Sequence, residues 1–489
     1  MKNKNVSLIL LLSVFVVITG VIFLKNYETE TLVDAKWNEK EEALLAITID
    51  GKESDSFPTN SGYVGTVTCN NATGTTSWNG SKWVFNVTGI TKNKTRCNVE
   101  FTKKTVYDKV LADYAKNNGV QKTTDENGKD VYYYAGNITN NNLVFNNYCW
   151  KMVRTTETDG VKLLYNGLYS DSTKCNNSGT SVYIDSNKTE FNTNYNSPAY
   201  VGYMYGAVYA NSSKSASSFG TYYYGSDVTW NGTTYTLSNA ESGAIANMYS
   251  KLSSKHYTCL STSSSCSTVY YIYYMGSATS TAFYMTLTTG KKIEDALDEM
   301  LNYNTTNSNI KTVIDNWYST NMTNVTDYLE NAIYCNNRNI YDLGGWNPSG
   351  GTISGSTSYL YFNDNSNLRL TCQDKEDQFT LKVDSGGTLG YGNNALDYPI
   401  GLLTYKEASL AHGGSNTNYL NNNHFYWLLS PHYFDNIYAV VLSLNGGYLT
   451  INRVNSTLGA RPAISLKQNI VITGGTGEIE DPYTISLPS

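Results

Sequence analysis

The sequence predicts an α+β protein in several units: an N-terminal transmembrane helix, a small β domain and a larger mixed domain. Three observations carry this. The chain opens with one long apolar run. Short alternating segments punctuated by Asp-Gly and Asn-Gly pairs follow it, the mark of small antiparallel strands. Farther on, apolar residues recur at helical spacing among further strand-like runs.

Residues 1–25 read as a signal anchor. "MKNK" precedes "NVSLILLLSVFVVITGVIFL", about 20 residues, enough to cross a hydrocarbon core. A signal peptide has a shorter apolar region and a small-residue cleavage site, and no A-x-A motif follows here. Lys2 and Lys4 outweigh Lys25 beside the span, so the positive-inside rule leaves the bulk of the chain outside. The expectation is a single-pass cell-membrane protein with an extracellular body; cleavage and secretion is the alternative.

Residues 26–44, ending in "EKEEAL", read as a helical stalk. Residues 45–103 read as the small β domain, with "WVFNV" and "CNVEFT" as strands. Residues 104–131 read as a helical connector, with Val106, Val110, Leu111 and Tyr114 at helical spacing. Residues 132–470 read as the α+β domain. It starts with "NLVFNNYCWKMVRTTETDGVKLLYNG", two strand-like runs around a turn, and has a Tyr-, Ser- and Gly-rich β middle. Three amphipathic segments follow: "KKIEDALDEMLNY", "NSNIKTVIDNWYSTNM" and "GLLTYKEASLAHGG". In the second, Ile310, Val313, Ile314, Trp317 and Tyr318 share one face and are expected in the core. Residues 471–489 read as a tail.

The eight cysteines contain no C-x-x-C, so the usual zinc and redox spacings are missing. In an exported chain they favour disulfides. Sequential pairing, Cys69–Cys97, Cys149–Cys175, Cys259–Cys266 and Cys335–Cys372, is the simplest of the many connectivities that eight cysteines allow.

Charged residues make up only 16% of the 489 residues and the formal net charge is −6, which leaves no basic footprint for nucleic acid. The chain holds 43 Tyr against 13 Phe, with frequent Asn, Ser and Gly. Rigid amphipathic rings and adaptable amides are what binding surfaces use, although an AT-rich genome would favour the same codons.

Several motifs occur in order: "YCWKMVRTTETDGVKLLYNG", "NSNIKTVIDNWYSTN", "YPIGLLTYKEA", "YWLLSP" and "GARPAISLK" with "GGTGEIEDPYTI". Together they resemble an uncharacterised domain family of exported proteins from low-GC Gram-positive bacteria, whose members read W-L-x-S-P near the end and G-x-R-P-A soon after. The resemblance covers most of residues 132–489. The domain's end is similar to C-type-lectin-like and formylglycine-generating-enzyme-like domains. That similarity implies terminal strands that pair, here "CWKMVRT" with "ARPAISLK", and long loops that carry function. Fold similarity does not itself imply an activity.

Candidate chemistry is sparse. Ser430 and His432 flank Pro431, but no nucleophile elbow surrounds the serine, and a strand-ending Ser-Pro is the better reading. Arg461, set among small and apolar residues, reads as a buried structural arginine tying carbonyls or a carboxylate to the sheet. Trp150, Trp317 and Trp427 likewise read as structural. His256, His412, His424 and His432 lack zinc spacing, and Asp364, Asp374, Glu376 and Asp377 read as solvated acidic loops rather than a calcium site. No metal or cofactor is expected.

The expected function is adhesion or binding of an extracellular glycan, peptidoglycan or protein by a membrane-anchored, non-enzymatic protein. The alternatives are a thiol-dependent oxidase on a formylglycine-generating-type scaffold, using Cys335 and Cys372, and a passive envelope protein. Two presumed loops carry the binding expectation: Gly344 to Asn367, with Trp346, Asn347 and Tyr361, and His432 to Arg453, with Tyr433, Tyr438, Tyr448 and Asn452.

Overall fold

The computed structural model describes residues 44–486, except 61, 90–94, 187, 210, 216–220, 225–234, 237–238, 243–256, 260–264, 267–268, 276–280, 288–292, 339–368, 383–390, 413–417, 436–437 and 446–447. The side chains of 44, 211–294, 297, 432–448 and 486 are also outside the description. The signal anchor and nearly all of the stalk therefore lie outside the described residues. Among the described residues, no helix is long and apolar enough to cross a membrane. The chain mixes strands with fewer helices, in keeping with an α+β fold.

The first unit is a four-stranded sheet. Leu44–Ile49 turns back on itself through Asp50 and Gly51, both at positive φ (50° and 74°), as a two-residue hairpin turn requires. The same strand pairs in parallel with Arg96–Lys103, which pairs antiparallel with Tyr63–Cys69. Along Arg96–Lys103 every second residue is buried, so Cys97, Val99 and Phe101 face inward. Trp83 meets Phe101 edge-on at 4.9 Å, and a disulfide joins the register partners Cys69 and Cys97. A core this small benefits from such a staple.

The main sheet has eight strands. Its central hairpin is Tyr148–Thr155 against Val161–Leu168, both buried along nearly their whole length. Ala463–Leu466 pairs with the outer side of Val161–Leu168. Asn142–Phe145 pairs with the other side of the hairpin and then, in parallel, with Tyr483–Ser486, which pairs with Val471–Gly474. Asp130–Tyr134 joins at Arg154 and carries Val120–Thr124.

Three sequence expectations change here. "CWKMVRT" and "ARPAISLK" are not neighbours; the Val161–Leu168 strand separates them. That strand is apolar along its whole length, and a doubly covered strand belongs inside a sheet. Residues 471–474 and 483–486 are strands of this sheet rather than a tail. In the 104–131 segment only Val106–Ala115 is helical, and Val120–Thr124 is already a strand. Asn117 and Gly119, both at positive φ (52° and 72°), end the helix.

Helices cover the sheet. Asn309–Asn321 starts at Ser308, whose hydroxyl accepts from the Lys311 amide. Ile310, Ile314 and Tyr318 are fully buried, while Val313 and Trp317 are partly covered. Ile293–Leu301 and Tyr405–His412 complete the set. Residues 211–287 form a separate six-stranded antiparallel sheet. The His432–Arg453 segment is not a loop but belongs to a three-stranded meander, Tyr426–Asp435, Tyr438–Asn445 and Tyr448–Arg453. Its "YAVVLSLN" and "YLTINR" runs are β-branched and alternating, which favours a ladder.

Candidate functional site

A groove of about 710 Å³ opens between two walls. One wall is the turn after the Ile293–Leu301 helix, Asn302, Tyr303, Asn304, Thr305, Thr306 and Asn307. The other is formed by Glu376, Lys382, Asn393, Asn394, Ala395 and Asp397, with Met204 also in the lining. The sequence builds the first wall by stopping the helix at Leu301 and then pairing Thr306–Asn307 with Met204–Tyr205. The short "NYNTTN" run has no apolar residue except the tyrosine, so it stays at the surface.

The second wall is held from below by one buried ion pair. Arg338 donates from Nε to Asp377 Oδ1 (2.6 Å), and its backbone N–H donates to Asp377 Oδ2 (2.7 Å). The guanidinium also donates to the carbonyls of Met204 (2.6 Å) and Glu376 (3.3 Å), reaching both walls at once. Both side chains are almost fully buried. Burial pushes the Asp377 carboxyl up, and Arg338 pulls against it. Removing one member of such a pair costs about 3–5 kcal/mol because the other is left buried and unpaired. The Cys335–Cys372 disulfide and the Tyr334–Cys335 pairing with Gln378–Phe379 fix the same wall to the domain.

Side-chain amides then join the walls. Asn304 and Asn393 each donate from Nδ2 to the Glu376 carbonyl, both at 2.8 Å. Asn394 sits at positive φ (55°), which asparagine tolerates better than most residues, and its N–H donates to Thr380 Oγ1. Lys382 contacts Asp397 at 2.5 Å and holds its carboxyl below the ordinary range, with Lys311 adding to the effect. Lys311 also pairs with Asp315 at 2.5 Å, where burial raises the carboxyl. Among the described residues no group of three or more His, Cys, Asp or Glu side chains is arranged to hold a metal.

The residues expected to bind lie elsewhere. Trp346, Asn347 and Tyr361 fall outside the described residues. Tyr433, Tyr438 and Tyr448 are in strands, and their side chains are outside the description. Asn452 is a strand residue opposite Val441. The groove contains none of them. Asp377, expected in a solvated acidic loop, is buried on Arg338, a partner too far away in sequence to be anticipated.

The scaffold residues are clear. The Trp150 indole donates to the Phe145 carbonyl (3.1 Å), and that of Trp427 donates to Thr189 (2.7 Å). Trp317 packs against Tyr148 and Tyr165 at 5.3 and 5.4 Å. Arg461 donates to the carbonyls of Tyr165 and Leu420 and to Asn166 Oδ1, and lies over the Tyr426 ring at 4.7 Å. Ser430 Oγ accepts the Tyr405 amide at 2.9 Å, at the start of the Tyr405–His412 helix. Cys335 and Cys372 are joined to each other, as are Cys149 and Cys175; Cys259 and Cys266 have side chains outside the description.

Comparison with protein-family models, with curated proteins and with solved structures returns no match.

Proposed function

We propose that this chain is a membrane-anchored extracellular binding protein and that the asparagine-lined groove seats a glycan. One observation carries the reading: asparagines stand on both walls, Asn302, Asn304 and Asn307 facing Asn393 and Asn394, around a tyrosine ring that is 54% exposed. An amide side chain both donates and accepts, as a sugar hydroxyl does, so such a groove can satisfy adjacent hydroxyls in pairs. The Tyr303 ring adds a rigid apolar face for the C–H side of a pyranose, with its hydroxyl left in water. Three disulfides suit an oxidising, extracellular compartment. The apolar run at residues 5–24 supports the anchor.

The test is a glycan and peptidoglycan-fragment binding screen with the full chain in detergent, followed by titration of the best ligand. Tyr303→Ala and an Asn302→Ala/Asn307→Ala double variant are expected to weaken binding roughly tenfold or more, about 1.4 kcal/mol. Saturable binding that neither variant alters would move the site elsewhere. No saturable binding to any glycan would sink the reading.

A further inference from the structure

The groove is richer in acceptors than in donors. Asn304 Oδ1 and Asn394 Oδ1 are both buried without a hydrogen-bond partner, one on each wall. For Asn304 the orientation is fixed, because its Nδ2 donates to a carbonyl that can only accept. A buried acceptor left unpaired costs about 1–3 kcal/mol, a cost that a donor on a ligand would remove.

The charges point the same way. Lys382 and Asp397 neutralise each other, and behind them Lys311 is matched by Asp315. Glu376 is different. Its carbonyl accepts from Asn304, Asn393 and Arg338, but among the described residues nothing pairs with its exposed carboxylate. The two undescribed stretches that adjoin this wall in sequence, 339–368 and 383–390, contain no Lys or Arg. The lining therefore carries one uncompensated negative charge beside two unpaired amide oxygens.

We propose that the groove selects a sugar bearing a free primary amine, a de-N-acetylated hexosamine, with the ammonium paired to Glu376. An ammonium has three donors and no acceptor, which complements an acceptor-rich lining. N-acetylation removes the charge and replaces two donors by an acceptor. Anionic polymers meet a like charge. This inference rests on the glycan reading and names the ligand class for the same groove.

The experiment titrates the full chain at pH 6 with hexamers of β-1,4-linked glucosamine, N-acetylglucosamine and glucose, and with a lysine pentapeptide. The glucosamine hexamer is expected to bind about tenfold tighter than the other two sugars, the scale of one partly desolvated charge pair. Glu376→Gln should abolish that preference while changing affinity for the N-acetylated hexamer less than about twofold, and added salt should erode it. Equal or reversed affinities for the two amino sugars overturn the proposal and leave the glycan reading standing. A preference that survives Glu376→Gln also overturns it. A pentapeptide that binds as tightly as the glucosamine hexamer shows recognition of an amine without its sugar and overturns it too. No binding by any hexamer overturns both readings.

Discussion

Two glutamates are buried near the central hairpin and meet opposite fates. Glu407 lies where Arg154 and Lys162, direct cross-strand partners, would otherwise repel each other. It accepts from Arg154 at 2.7 Å and Lys162 at 2.8 Å, while its other oxygen accepts the Thr404 amide. Burial alone would push its carboxyl up, but the two cations hold it down at about 2. Glu330 has no such cations in contact. Only the hydroxyls of Thr156 and Thr158 meet its two oxygens, each at 2.5 Å, and burial pushes it up to about 7. The same side chain in the same interior is an anion in one place and near half-protonated at neutral pH in the other. What surrounds a buried carboxylate decides more than how deeply it is buried.

The largest way to break this comparison is Glu407→Gln. It leaves two facing buried cations without their anion and should cost on the order of 3–5 kcal/mol in urea unfolding at pH 7. A companion Lys162→Met exchange should recover part of that loss; a variant as stable as the parent would mean that the cluster adds nothing. Below it comes a difference in pH slope. Glu407 has a folded pKa below its ordinary 4.5, so its contribution is present above about 4.5 and is lost as pH falls toward 2. Glu330 has a folded pKa above 4.5, so its contribution is full below about 4.5 and is lost as pH rises through about 7. Glu330→Gln should therefore flatten the fall in stability between pH 5 and 8, with a gain on the order of 1–3 kcal/mol at pH 8. An unchanged slope in thermal melts across that range would contradict the assignment. The smallest effect is Thr158→Val, which removes one of the two donors to Glu330 and should cost about 1 kcal/mol at pH 8 and less at pH 5.

Much of the scaffold was legible because it follows local rules. The Asn309–Asn321 helix announces itself by a Ser cap and by Ile310, Ile314 and Tyr318 at helical spacing. The central hairpin shows as two long apolar runs around "TETDG". Three of the four sequential cysteine pairs are disulfides here, each closing a short sequence separation. Sheet order was not legible. Nothing local says that "VKLLYNG" will lie between "CWKMVRT" and "ARPAISL", or that "DPYTI" will pair in parallel with "NLVF". The groove was hidden for a different reason. "NYNTTN" and "GNNALD" resemble any polar turn, and their meeting depends on Arg338 and Asp377, 39 positions apart. The positive φ at Asn394 is a trace of it, since Asn-Asn pairs often mark such a turn.

The order in which strands enter the main sheet also sets a clock. Residues 142–168 supply its centre, but the strands that cover the two flanks come from 463–466 and from 471–486. At about 5–20 residues per second the hairpin waits on the order of tens of seconds for those neighbours to be made. Through that interval its apolar strands have open edges, the form of chain most prone to pair with another copy. A protein built this way must be kept extended or chaperoned until its last residues emerge, and a truncation that removes only the final strands leaves the sheet's centre unsealed.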